Sequence, residues 1–97
     1  MSDTEIRRYE IRPGTMDAFV AWWQERIVPV RRQYGFTVTF AYRDDARSEF
    51  IWGIDHDGDF DAADQAYLDS PERADAFAVV PDGIDVQHAG RYTAVPH

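Results

Sequence analysis

The sequence predicts an α+β domain whose elements follow the order β-α-β-β-α-β. Four short segments alternate apolar with polar residues, one longer segment repeats apolar residues every three or four positions, and turn residues separate these segments. Elements in this order usually fold as a four-stranded antiparallel sheet with two helical layers on one face, the ferredoxin-like arrangement. The 97 residues are expected to form one such domain, spanning residues 1–97.

A turn separates the first strand from the first helix. Residues 5–12 (EIRRYEIR) alternate as a strand, and PGT follows, with Thr15 as a suitable N-cap. Residues 16–34 are expected to form a helix that ends at Gly35, and Pro29 is expected to kink its axis or to end its regular part early. One buried stripe is predicted on this helix, at Phe19, Trp23, Ile27, Val30 and Tyr34.

A β-hairpin and a final strand complete the predicted sheet. Residues 36–43 (FTVTFAYR) and 49–56 (EFIWGIDH) alternate cleanly, and residues 84–92 form the last strand. Tyr9 and Ile11 of the first strand are expected to face the helices. Uninterrupted alternation places the following side chains of the other strands on that same face: Phe36, Val38, Phe40, Tyr42, Phe50, Trp52, Ile54, His56, Ile84, Val86 and His88.

The acidic stretch at residues 55–73 (DHDGDFDAADQAYLDSPER) has six aspartates in its first fifteen positions. A calcium loop of the EF-hand type needs glycine at its sixth position and glutamate at its twelfth, which here are Phe60 and Ala66. A turn explains the same residues, with Asp59 capping a first helical segment and Ser70 capping a second. No metal site is expected here.

Composition excludes several classes of function. The formal net charge of −8 argues against nucleic acid and anionic membranes as partners. Without cysteine or lysine, the chain can use neither a thiolate nor a Schiff base. The charged N-terminus is not a signal peptide and no apolar run reaches the length of a membrane span, so a cytoplasmic protein is expected.

The sheet face away from the helices has an unusual predicted composition. An exposed face would carry more long charged side chains, so a second sheet, most simply that of another copy of the chain, is expected to cover it. The alternative is a plainly exposed face. The residues predicted there are Arg8, Glu10, Thr37, Thr39, Ala41, Ile51, Gly53, Asp55, Gln87 and Ala89.

Three segments resemble NIPSNAP-type proteins of the dimeric α/β-barrel superfamily: RRYEIRPGTMDAFVAWW, YGFTVTFAYR and FIWGIDHDGDFDAADQAYLDSPER. The resemblance covers about residues 7–77, and its most specific part is residues 52–73. It implies a ferredoxin-like protomer that pairs sheet to sheet, forming an eight-stranded barrel with the helices outside. Such a homodimer agrees with the composition of the second face.

The wider superfamily includes cofactor-free monooxygenases of aromatic polyketides, heme-degrading monooxygenases, lactone isomerases and chlorite dismutase-like heme enzymes. The resemblance therefore implies a ligand held between sheet and helices or within the barrel, but no single reaction. Heme-degrading relatives rely on an asparagine and a helix histidine. This chain has no asparagine, and residues 59–78 contain no histidine, so no heme is expected. The sequence also has no glycine-rich phosphate loop or nucleotide fingerprint, and no cofactor is expected.

Candidate site residues come from the predicted helix-facing side of the sheet. His56 and His88 are expected to approach the same end of the sheet, with Arg7 or Arg8 nearby, and to transfer protons, while Tyr42 or Tyr9 polarises a carbonyl. Each of these side chains has packing or solvent exposure as its alternative. The predicted catalytic residues are His88, His56 and Tyr42, and the predicted substrate-binding residues are Tyr9, Trp52, Trp23, Tyr67 and Arg8. Trp22 is expected at the edge of the buried helix stripe.

We therefore expect a homodimer with an apolar, aromatic-lined pocket in each protomer. As an enzyme it would act without a cofactor on a small hydrophobic or aromatic metabolite, by acid/base chemistry, isomerisation or oxidation. The alternative is a dimeric ligand-binding or accessory protein without catalysis. A cavity that reaches either histidine would favour the enzyme, and a filled interior would favour the accessory protein.

Overall fold

Four antiparallel strands form one sheet, and the helices pack on one of its faces, as predicted. The computed structural model describes residues 3–97. The strands are β1 (Thr4–Ile11), β2 (Phe36–Asp44), β3 (Glu49–His56) and β4 (Ile84–Tyr92), in the spatial order β2-β3-β1-β4. The helical elements are α1 (Met16–Trp22), a π-helical turn (Trp23–Ile27), α2 (Val28–Gln33), α3 (Phe60–Leu68) and α4 (Pro71–Ala78). Within residues 3–97, no helix has the length and apolar character needed to cross a membrane.

Pro29 alters the first helix one turn before its own position. Proline has no amide hydrogen to donate to the carbonyl of Glu25, and the backbone widens into the π-helical turn Trp23–Ile27. The wide turn also changes which side chains face the core. Arg31 is buried, whereas Val30, which the sequence places in the stripe, is only half-buried.

An extra residue in β2 reverses the predicted orientation of its second half. The pairing with β3 shifts between Val38 and Phe40, which leaves Thr39 as the bulged residue. Phe40 and Tyr42 consequently lie on the sheet face away from the helices, which we call the open face. The ring of Phe40 covers Gly53 there and fills the space that a Cβ would need. The prediction that Tyr42 faces the helices is therefore wrong.

A second extra residue has the same effect in β4. Its pairing with β1 shifts between Glu10 and Ile11, so that Asp85 is bulged. Ile84 faces the helices as predicted. From Val86 onward, each side chain of the strand lies on the sheet face opposite to the predicted one. His88 is exposed on the open face. Its predicted position beside the helices is wrong.

The two bulges make the open face more apolar than the sequence predicts. Ala41, Gln87 and Ala89, which were expected on it, belong to the helix-facing side instead. Apolar side chains replace them. The large apolar residues of the open face are Ile6, Phe40, Tyr42, Ile51, Val86 and Tyr92.

Two of the three predicted helix caps form. Asp59 Oδ1 accepts a hydrogen bond from a first-turn amide of α3 over 3.1 Å, and Ser70 Oγ accepts one from the Arg73 amide over 3.1 Å. Thr15 precedes α1, but its hydroxyl donates to the Arg12 carbonyl over 2.7 Å, so it caps no helix amide. Gly35 follows α2 with a φ of +87°, as predicted for a residue that ends a helix.

Gly35→Ala is expected to destabilise the protein more than Gly14→Ala. Both glycines have positive φ, +87° and +89°, so alanine costs about 1–2 kcal/mol at either position. Only at Gly35 would the new Cβ also meet a neighbour, His56 Nε2 at 2.8 Å, whose 3.2 Å hydrogen bond to the Tyr34 carbonyl would be lost. That loss adds about 1 kcal/mol. Urea unfolding measures both variants, and equal losses would contradict the assignment.

Candidate functional site

A cavity of about 90 Å³ lies between the sheet and the helices, with room for a few water molecules. Strands β1, β3 and β4 form its floor, the helix from α1 to α2 forms one wall, and α3 and α4 form the other. Leu68 and Gln87 are exposed and mark its rim. Six aromatic residues line it, among them all three tryptophans of the chain: Tyr9, Trp22, Trp23, Trp52, Tyr67 and Phe77.

The hydroxyl of Tyr9 accepts two hydrogen bonds at the floor of the cavity. Trp52 Nε1 donates to it over 3.0 Å and Arg7 Nε over 3.3 Å. Arg7 also donates to the Glu5 carboxylate over 3.0 Å. Burial lowers the pKa of Arg7, but Tyr9 and Glu5 outweigh that effect, so the pKa is raised. Both acceptor positions of the hydroxyl are occupied, which leaves the Tyr9 proton available for donation.

Arg31 brings a fully buried guanidinium to the cavity. Its side chain is 3% exposed, and its terminal nitrogen donates to Asp64 Oδ1 over 2.8 Å. The guanidinium carbon lies 3.8 Å from the ring centre of Tyr67 and 4.8 Å from that of Phe36. One carboxylate and two aromatic faces thus compensate a charge that would otherwise be costly to bury.

Helix α4 supplies a third arginine and covers Trp22. The guanidinium carbon of Arg73 lies 4.2 Å from the ring centre of Phe77, and no carboxylate of residues 3–97 is close enough to pair with it. Trp22 Nε1 donates to the Ala76 carbonyl over 2.9 Å. Both Trp22 and Trp23 are therefore buried, whereas the helix stripe alone predicts Trp22 at its edge.

Three buried N–H groups of the cavity residues have no hydrogen-bond partner among residues 3–97. They are Trp23 Nε1, Arg31 Nε and Arg73 Nε. All three are donors. Buried polar groups are normally satisfied, so this excess of donors distinguishes the cavity from ordinary core packing.

The hydroxyl of Tyr67 stays protonated at neutral pH. Burial raises the pKa of Tyr67 above its usual value, and the charges of Arg31, Arg73 and Arg7 offset only part of that rise. Tyr67 itself is 2% exposed and lines the cavity. Its hydroxyl is therefore a neutral hydrogen-bonding group surrounded by cations.

Four of the predicted substrate-binding residues line this one cavity: Tyr9, Trp52, Trp23 and Tyr67. The fifth does not. Arg8 follows Arg7 in the strand, so it points to the open face, where it donates to Glu49 over 2.9 Å. Arg7 occupies the position by the cavity instead. Tyr42 and His88 lie on the open face as well, because of the two bulges.

His56 faces the helices but does not line the cavity. Its Nε2 lies 3.2 Å from the Tyr34 carbonyl, and its Nδ1 accepts from the Gly58 amide over 2.9 Å. A carbonyl only accepts and an amide only donates, so these partners select the neutral ring with its proton on Nε2. The ring thereby joins the end of α2 to the turn after β3.

Sequence reasoning missed Arg31 and Arg73 as cavity residues, and it named Arg7 only as an alternative to Arg8. The sequence contained one signal: every basic residue is arginine, which keeps its charge when buried and stacks on aromatic rings. Among residues 3–97, no three His, Cys, Asp or Glu side chains lie close enough together to hold a metal ion.

Comparison with known proteins decides the family. A family model described as NIPSNAP matches residues 4–89, most of the chain. The chain belongs to the NIPSNAP family. No curated protein matches the sequence.

Solved NIPSNAP structures share the fold. A NIPSNAP family protein from Agrobacterium tumefaciens superposes with a TM-score of 0.85 at 13% identity, over 98% of this chain and 94% of that one. A NIPSNAP domain protein from Burkholderia xenovorans gives 0.82 at 15% identity, over 96% and 94%. A putative antibiotic biosynthesis monooxygenase from Nitrosomonas europaea gives 0.74 at 10% identity, over 97% and 90%. At such identities the likeness establishes the fold alone.

Tyr67→Phe is expected to reduce the loss of stability of this NIPSNAP protein at alkaline pH. Because folding raises the pKa of Tyr67, the folded state holds its proton more tightly than the unfolded state does. The resulting stabilisation is complete below pH about 10 and declines as pH rises through the folded pKa. Urea unfolding at pH 8 to 11 measures the decline, with the exposed Tyr42→Phe as control. Identical declines in wild type and Tyr67→Phe would contradict the burial argument.

Proposed function

We propose that this NIPSNAP protein is a homodimeric enzyme that acts, without a cofactor, on a small planar hydrophobic metabolite bound in the cavity. The observation that carries the proposal is the hydrogen-bonding of Tyr9. Two donors occupy the lone pairs of its hydroxyl, which leaves its proton free for an acceptor that enters the cavity. A hydroxyl in this situation suits general acid/base chemistry.

The remaining cavity residues support substrate positioning. Trp52 and Trp23 meet edge to face, with ring centres 5.4 Å apart, and present flat walls to a ligand. Arg7, which bonds to the same Tyr9 oxygen, stabilises negative charge that develops there when the proton leaves. Tyr9 thus takes the proton-transfer role that the sequence suggested for a histidine.

The reaction class we propose is proton transfer, with isomerisation or oxidation as its outcome. The likeness to a putative antibiotic biosynthesis monooxygenase supports the oxidative form. In that form the substrate supplies the electrons, one atom of O₂ enters the product and the other leaves as water. Tyr9 would donate to the substrate oxygen that becomes negative.

We also propose that two copies pair through their open faces. A contiguous apolar surface on a soluble protein usually marks an interaction site. Tyr42 and Tyr92 of the open face are 68% and 56% exposed in the single chain. A second open face is the complementary apolar surface that a two-fold dimer provides.

A non-catalytic ligand-binding protein is the second candidate, and one observation favours it. Among residues 3–97, those that line the cavity include no histidine, no carboxylate and no hydroxyl other than the two tyrosines, so the cavity reaches neither His56 nor His88, the condition that favoured an enzyme from the sequence. Ligand binding without turnover would then be the whole function. The two candidates differ in whether a bound ligand exchanges protons with the protein.

Tyr9→Phe is expected to lower turnover by about 10²–10⁴-fold, because it removes the transferred proton together with the oxygen that accepts from Trp52 and Arg7. Ligand affinity is expected to stay within a few-fold, because the aromatic walls of the cavity are kept. A panel of planar phenols and enolisable ketones is screened for deuterium uptake from D₂O and for O₂ consumption. Tyr67→Phe, which removes the other cavity hydroxyl, serves as the matched control. Binding without exchange or oxidation in the wild type would establish the non-catalytic candidate, and full activity of Tyr9→Phe would exclude Tyr9 as the acid.

The double variant Tyr42→Asp, Val86→Asp is expected to be monomeric at concentrations where the wild type is dimeric. Both aspartates would be buried without partners in the proposed interface, which is strongly unfavourable. Analytical ultracentrifugation measures the association constant. Val79→Asp is the control, since Val79 is 53% exposed but follows α4 rather than lying on the sheet. A wild-type protein that is monomeric in this measurement would contradict the proposed dimer.

A further inference from the structure

We propose that the ligand of the cavity is a planar molecule carrying a single carboxylate, and that Arg73 and Arg31 hold that carboxylate. The inference rests on the proposed function in one respect only, that the cavity is the ligand-binding site. It adds the chemical class of the ligand. Three independent properties of the cavity support it: its unpartnered donors, its charge and its shape.

The unpartnered donors match a ligand that accepts hydrogen bonds. Among residues 3–97, four buried side-chain polar atoms have no hydrogen-bond partner, and three of them are N–H groups of cavity residues, Trp23, Arg31 and Arg73. The fourth, on Asp55, belongs to the open face. Arg31 is 2% exposed, so little solvent reaches its free Nε–H. A carboxylate has only acceptors and would satisfy several of these donors at once.

The charge of the cavity matches one negative group. Arg7 pairs with Glu5 over 3.0 Å and Arg31 pairs with Asp64 over 2.8 Å. Arg73 has no carboxylate partner among residues 3–97. Two of the three guanidiniums are therefore neutralised, and one positive charge is left. A monoanion balances it, whereas a dianion would bring an uncompensated charge into a site with little water.

Shape and orientation favour a planar ligand over a compact tetrahedral anion. The guanidiniums of Arg31 and Arg73 lie over the rings of Tyr67 and Phe77, at 3.8 and 4.2 Å from the ring centres. A guanidinium stacked in this way leaves its N–H edge for in-plane hydrogen bonds, the geometry that suits a carboxylate. The cavity of about 90 Å³ is smaller than the roughly 150 Å³ that a buried benzene ring occupies, so it would hold the carboxylate end, and the flat body of the acid would extend past the rim at Leu68.

Benzoate and benzamide are the matched probes, since they have the same ring and differ in charge. ¹H–¹⁵N spectra report on the site directly, because each tryptophan of this chain lines the cavity and gives one indole N–H signal. Trp22 and Trp52 already donate to Ala76 and Tyr9. Benzoate is therefore expected to shift the free indole N–H of Trp23 and the Nε–H signals of Arg31 and Arg73, and to bind at least tenfold more tightly than benzamide.

Arg73→Gln is expected to weaken benzoate binding by about ten- to a hundredfold and benzamide binding by no more than about threefold, because the neutral amide accepts a hydrogen bond from Arg73 but carries no charge to pair with it. Arg73→Lys, which keeps the charge but loses the planar fork, should give an intermediate affinity. Arg47→Gln removes the same charge from a side chain that is 78% exposed on the β2–β3 turn and should have no effect. Thermal unfolding of each variant shows that the fold is retained.

The outcomes separate this inference from the proposed function. Benzamide binding as tightly as benzoate would overturn the carboxylate inference and leave the cavity as the ligand site. Inorganic phosphate binding as tightly as benzoate, with the same dependence on Arg73, would replace the planar acid with a general anion. Failure of both aromatic probes to perturb any tryptophan signal would overturn the inference together with the proposed ligand site.

Discussion

The buried guanidinium of Arg31 is the interaction on which the arrangement of the helices depends. A charged group that is 2% exposed is costly unless its charge and its N–H groups have partners. Helix α3 supplies both the carboxylate of Asp64 at 2.8 Å and the ring of Tyr67 at 3.8 Å. The Arg31 side chain therefore holds α3 against α2, and the cavity lies beside that contact. Packing alone does not explain an arginine in this place, because an apolar side chain would fill it without requiring Asp64.

The electrostatic contrast between surface and cavity follows from the same use of arginine. The chain has eighteen acidic and ten basic residues, yet three of its arginines line one cavity, and no carboxylate of residues 3–97 lines it. An approaching anion is repelled at long range and attracted only close to the site, and salt screens the long-range part over about 10 Å at 0.1 M. Neutral molecules feel neither effect. Selection between acid and neutral ligands must therefore occur inside the cavity, where hydrogen-bond geometry and not the overall field decides.

The element order and the residues of the two central strands could be predicted from the sequence, because alternation holds there. Tyr9 and Trp52 face the helices as the pattern indicates. In the edge strands the extra residues Thr39 and Asp85 reverse the alternation. Nothing in the sequence around either residue marks a bulge. The burial of Arg31 was not predicted for another reason. Its partner Asp64 is thirty-three residues away, so only the tertiary contact makes its burial favourable.

The position of the bulges also has a physical reason, which bears on the proton donor. A strand at the edge of a sheet has one neighbour, so an extra residue disrupts one ladder, whereas a central strand would lose two. Side chains on β2 and β4 can thus exchange faces at low cost, as Tyr42 and His88 do. Tyr9 lies on β1, between β3 and β4, and its hydroxyl is held by donors on β1 and β3. The group we assign to proton transfer therefore lies on the strand whose side-chain orientation is the most strongly constrained in the sheet.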